Sequence, residues 1–269
     1  MPDAPAWSRR RVVAVLAGVT AMAVLLCGGL GYAWWDATTD PSTSVPSTTI
    51  TVDDRPVGPR VRDEIAAAPL PSEGAATGLA GLGSPGPAAM TVPAPTRLGP
   101  AGVPTGYPRT PAGAVGQLAA IDATVLTTMA VQRAGQVHAA WALPGAPPVT
   151  DWMIARNVDA FLTAAAAGPA AGTDPAVTVT PIAAQVKGVD GPDWVLACVL
   201  LRVRATLATT ASILYGHCER MAWHEGRWQI APGAAPPPIP TNRPGEPVAV
   251  GSGWRPWAEP AEVTHRGTD

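Results

Sequence analysis

The stretch WVLACVLLRVRAT, Trp194 to Thr206, decides the reading of this chain. Its side chains alternate with a period of two. Val195, Ala197, Val199, Leu201 and Val203 share one face; Trp194, Leu196, Cys198, Leu200, Arg202 and Arg204 share the other. That pattern predicts a strand. A turn near Leu207 to Thr210 leads to a second strand over Ser212–Trp223. His224-Glu225-Gly226 reads as another hairpin turn, and Arg227 to Ala231 as a last short strand. Upstream, Val177 to Val189 predicts a strand interrupted by Pro181, with the turn GVDGPD after it.

The register implied by this hairpin carries a chemical consequence. With the loop centred on Ala208, Cys198 and Cys218 lie directly opposite each other. Opposed cross-strand Cβ atoms are about 4.5–5.5 Å apart, close to what a disulfide needs. A Cys198–Cys218 disulfide is therefore expected, with two buried free thiols as the alternative. No CxxC spacing occurs, which argues against a redox-active pair.

Before the strands the period is helical. Thr110 reads as an N-cap with Pro111 at the first helical position. Val115, Leu118, Asp122, Val125 and Met129 then recur at spacings of three and four, one face broken only by Asp122. This helix continues, or restarts after Gly135, to Trp141. LPGAPP (143–148) breaks it, Thr150 is read as the cap of a second helix, and Ile154, Val158, Phe161, Leu162 and Ala165 form its face. Gly168-Pro169 stops it. Two helices followed by antiparallel strands is an α+β plan.

The flanks differ in composition. From Asp36 to Pro111 there are 14 prolines among many Gly, Ser, Thr and Ala residues, so 36–105 is expected to be a disordered tether. Seven prolines between Pro232 and Pro247 mark 233–269 as a proline-rich tail around Trp254 and Trp257. Those two tryptophans are expected to pack back onto the domain (106–232), with a role as partner anchors as the alternative. Val12 to Trp35 holds no charged residue and is long enough to cross a bilayer core of about 30 Å. Arg9, Arg10 and Arg11 precede it, and Tyr32, Trp34 and Trp35 close its far end. The positive-inside rule and the interfacial preference of aromatic rings then put residues 1–11 in the cytoplasm and the bulk outside. A cleaved signal peptide is the rival, disfavoured by the length of the run.

Charge adds exclusions. The formal net charge is -2, which leaves no basic footprint for nucleic acid. A single lysine, Lys187, against 17 arginines fits a high-GC actinobacterial coding bias. His138, His217, His224 and His265 show no zinc-ligand spacing beyond the loose pair His217/Cys218, so no metal is expected. No serine elbow or phosphate-binding loop occurs. The titratable candidates for a pocket are Asp122, Asp159 and Tyr215, against the plainer reading that the two aspartates sit at a solvated rim.

The plan of basic N-terminus, single span, tether, helices and strands ending in GRWQIAPG resembles the bitopic components of conjugation and type IV secretion machines, the TcpC type among them. The stretch TGYPRTPAGAV resembles the entry to their first helix, and Trp223 with Gly226-Arg227-Trp228 resembles their final hairpin. Mce-associated membrane proteins share the plan. The resemblance implies a nuclear-transport-factor-like or cystatin-like cone, helices held in a curved antiparallel sheet, with no catalytic residues and no cofactor. It implies an extracytoplasmic assembly element of a cell-envelope transport machine, conjugative transfer first. Its partners would be the membrane, other envelope-complex proteins and other copies of itself. A small-ligand-binding or enzymatic domain of the same fold is the alternative, and a wall-associated protein a third.

Overall fold

The computed structural model describes residues 57–70, 88–166, 176–206, 210–239 and 253–260. The expected span Val12–Trp35, with Arg9, Arg10, Arg11, Tyr32, Trp34 and Trp35, lies outside them. Among the described residues no helix is long and apolar enough to cross a membrane.

Thr110 and Pro111 act as their types dictate. The Thr110 hydroxyl accepts from the Gly113 amide, and Pro111 opens helix α2, Pro111–Thr128. Val115, Leu118, Asp122 and Val125 all face inward. Met129, in the left-handed region at φ 42°, ends the helix, and the chain restarts at once as α3, Val131–Trp141. The restart thus precedes Gly135. Helix α4, Met153–Ala166, buries Ile154 and Val158, with Phe161 and Leu162 half-covered. Thr150 is not its cap: it sits in a turn before the helix begins at Met153.

The strands follow the predicted order. β4 spans Ala176–Val189, β5 Trp194–Thr206, β6 Thr210–His224 and β7 Arg227–Ile230, each antiparallel to the next. Glu225 at φ 48° and Gly226 at φ 74° give the β6–β7 turn the two positive angles of a type I′ hairpin. Two register shifts in β4, at Pro181/Ala183 and Val186/Gly188, add the bends that let a sheet curl. The sheet is a curled half-barrel, and helices fill its concave side.

Two expected boundaries move. Residues 88–105, assigned to a disordered tether, form short strands β1 (Met90–Thr91), β2 (Arg97–Leu98) and β3 (Pro104–Thr105). Met90, Val92 and Val103 from this stretch are buried in the main core. An upstream piece of the same expected tether forms helix α1, Pro59–Ala67. In the expected tail, Arg255–Ala258 is strand β8. It pairs with β1 in parallel and with β4 antiparallel, giving the sheet order β1-β8-β4-β5-β6-β7. Proline-rich composition lowers the odds of long elements, but it does not stop single apolar side chains from filling sites on a neighbouring scaffold.

The convex face is covered as well. Cys198, Leu200, Cys218 and Trp254 form one apolar cluster there, and Trp194, Leu196, Ala66 and Ala231 form another. Both faces of β5 are thus buried from Trp194 to Leu201, while Arg202 and Arg204 beyond them are exposed.

Candidate functional site

Cys198 and Cys218 are direct register partners and are disulfide-bonded, with Cα atoms 4.0 Å apart and a separation of 20 residues. The bond lies on the convex face, opposite Val195, Val199 and Val203, as the alternation requires. Trp254 packs into the same cluster.

The concave face holds a polar cluster in an otherwise apolar core. On β6, alternation turns Tyr215, His217, Glu219 and Met221 inward. Helix α2 brings Asp122 against them. His217 Nδ1–H donates to Asp122 Oδ2 at 2.9 Å and Oδ1 at 3.0 Å. On the ring's other side Nε2 lies 3.7 Å from Glu219 Oε2, near enough for Coulombic attraction and beyond hydrogen-bond reach. Glu219 has two donors of its own: Trp152 Nε1–H at 3.2 Å and the Arg220 amide at 3.0 Å. Asn157 donates to the Tyr215 hydroxyl at 3.3 Å. Asp122 and His217 have at most 1 % exposure, and Glu219 has 4 %.

Burial sets the proton affinities. It pushes the Asp122 and Glu219 carboxyls up from the ordinary range, and in each case the attraction of His217 offsets part of the rise. Burial pulls the other way on His217, but Asp122 and Glu219 together hold its value above the ordinary one. Burial and the Asp122 charge raise the Tyr215 hydroxyl, which stays neutral. The cluster ties α2, β6 and the turn before α4 into one unit.

Of the sequence candidates, Asp122 and Tyr215 come together here and Asp159 does not. Asp159 is exposed on α4, on the side away from Ile154 and Val158. Asp122, given a solvated rim as its plainer reading, is instead fully buried. His217 and Glu219 were missed as partners: 95 residues separate Asp122 from His217 in the chain. The one available signal was their alternation with Tyr215 on a strand otherwise rich in apolar residues. The two tail tryptophans pack back onto the domain, the favoured of the two expectations, and the alternative of free partner anchors does not hold. Trp254 is buried, and Trp257 is half-buried against the main core, because β8 docks them onto the sheet. Among the described residues no group of three His, Cys, Asp or Glu has metal-binding geometry.

Comparison of the chain with protein-family models, curated proteins and solved structures finds no match.

Proposed function

We propose that this protein is a membrane-anchored, extracytoplasmic assembly element of a cell-envelope transport machine, with conjugative transfer as the machine the resemblance favours. The finer fold in this reading is the nuclear-transport-factor-like cone. The observation that carries it is the state of the concave interior. Asp122 pairs with His217, Glu219 accepts from Trp152 beside that ring, and Tyr215 accepts from Asn157, so the groups that would meet a substrate are already engaged in holding helices to sheet. The Cys198–Cys218 bond supports placement in an oxidising compartment. Within this reading, work falls to the outer surface, the partners are other envelope proteins or further copies, and no cofactor is needed.

One observation favours the ligand-turnover alternative: an imidazole between two carboxyls is the equipment of acid–base chemistry. Replacing Asp122 by Asn and His217 by Gln separates the two. The full chain, solubilised in mild detergent and cross-linked, should migrate in a complex with a polytopic channel protein, and the double variant should stay in that complex. A wild-type protein that runs as a lone monomer at every cross-linker dose would sink the assembly reading.

A further inference from the structure

β6 leaves much of its outer edge bare. β7 pairs only with Met221–His224, and next to it the Ala231 amide reaches the Arg220 carbonyl. Among the described residues, none hydrogen-bonds the backbone along that edge from Thr210 to Cys218. The direction of the unused groups follows from their neighbours. Arg220 turns its carbonyl outward to Ala231, while the Trp223 amide turns the other way, to Asp193 at the start of β5. Backbone groups alternate along an antiparallel strand, so Ser212 and Leu214 direct their N–H and C=O outward. Native sheets guard such edges with lysine, proline or a bulge. The run TASILYG, 210–216, has no charge and no proline, and its pairing with β5 has no register shift.

The two sides of this edge differ. On the concave side Ile213 is 51 % exposed, with Ala211 exposed next to it. On the convex side Ser212 lies opposite Arg204 and Leu214 opposite Arg202. Both arginines are exposed, and neither joins an ion pair among the described residues. Their neighbours on β4, Thr178 opposite Arg204 and Thr180 opposite Arg202, carry no charge. A strand added to β6 would lie about 10 Å from β5, two strand spacings. Its residues opposite Ser212 and Leu214 would share the convex side with the arginines, and Ser212 is too small to stand between. The residue between those two would meet Ile213. The surface therefore fits acid, apolar, acid in successive positions: guanidinium–carboxylate pairs on one side, burial of Ile213 on the other.

We propose that the Thr210–Leu214 edge of β6 takes up an extended acidic segment of another protein by strand addition. This gives the assembly reading a docking surface, and the inference rests on that reading for its partner. Occupants from the chain itself fit poorly. Its 269 residues contain no two acidic residues at a spacing of two. A second copy paired through β6 about a twofold axis at Ile213 would gather Arg202, Arg204 and their copies on one face with no acid between them.

The probe is a fluorescein-labelled peptide, TVEVEVT, titrated against the full chain and followed by anisotropy. The wild type should bind it, and TVKVKVT should bind at least tenfold more weakly. Arg202→Gln/Arg204→Gln, at two exposed positions, should also weaken TVEVEVT at least tenfold. N-methylation of its two glutamates, whose N–H groups would face Ser212 and Leu214, should abolish binding. N-methylation of the valine between them should leave it, and neither change alters the protein. Equal binding of TVKVKVT, or indifference to glutamate N-methylation, would overturn strand addition and leave the arginines as a general anion patch. No binding by the wild type would overturn the open edge. Cross-linking of two copies by Ile213→Cys on oxidation would then name a second copy as the cover, and its absence a segment of the same chain. Peptide binding by a chain that runs as a lone monomer after cross-linking would keep the edge and sink the machine. A recovered complex with no peptide binding would do the reverse.

Discussion

His217→Ala removes the imidazole between Asp122 and Glu219 and leaves two buried carboxyls facing an empty site. Deleting one partner of a buried ion pair costs about 3–5 kcal/mol, a large share of a domain stability of about 5–15 kcal/mol. With an m-value of about 2 kcal/mol per molar urea, the unfolding midpoint should fall by roughly 1.5–2.5 M. Tryptophan fluorescence of the full chain reads the transition, since Trp152 is bonded to the cluster. Asp122→Asn/His217→Gln keeps the volume and removes both charges, so it should lose less than His217→Ala. The pH dependence has a definite sign. Asp122, His217 and Glu219 all hold protons more tightly folded than unfolded. The carboxyls' share of the stability is complete below about pH 4 and fades as pH rises above it. His217's share is complete below about pH 6.5 and is lost through its raised value. Stability should therefore be higher at pH 5 than at pH 8, changing by about 1.4 kcal/mol per pH unit for each extra proton held. The double variant should flatten this slope. A midpoint shift under about 0.5 M for His217→Ala, or native stability that rises from pH 5 to pH 8, would refute the sealed cluster.

Cys218→Ser should lower stability by about 3 kcal/mol, the chain-entropy value for a loop of 20 residues, and the wild type under reducing conditions should show the same loss. A mass showing two free thiols in the native protein would count against the bond itself. Trp254→Ala, which empties part of the cluster over Cys198 and Leu200, should cost about 3 kcal/mol and lower the melting temperature; an unchanged melting temperature would return Trp254 to the role of free anchor. Gly113→Ala should be among the most damaging single changes at the helix entry. Its Cβ would fall 2.0 Å from the Pro108 carbonyl oxygen, a backbone atom with nowhere to go, and an unchanged thermal midpoint would show that the entry loop can shift.

The sheet could be read from the sequence where one residue type repeats at a fixed step. Val195 to Val203 define a face, and that face sets the register that places Cys198 on Cys218. Thr110 and Pro111 were legible for a similar reason, since capping is local chemistry. What could not be read depends on tertiary placement. Strands of two residues such as Met90–Thr91 have no period to detect, and Trp257 sits opposite Met90 only because the sheet supplies an open edge. Thr150 has the side chain of a cap, yet two more residues, Asp151 and Trp152, precede the helix start at Met153. The site was half visible. Asp122 stood out as a charge on an apolar helix face, but a single sequence holds nothing that joins it to a histidine in the third strand of the long meander.

The place of β8 sets an order on how the protein is made. β8 comes from the end of the described chain, yet it lies between β1 and β4. During synthesis Met90 and Thr91 emerge long before Arg255 to Ala258, and until then β1 lacks its strand partner. The meander of β4 to β7 can close as soon as it is synthesised, while the Met90–Thr91 strand must wait for Arg255–Ala258. A nascent protein stalled before Gly253 would thus carry a closed meander whose β4 edge is open and whose β1 is unpaired, two bare strand edges for another chain to find.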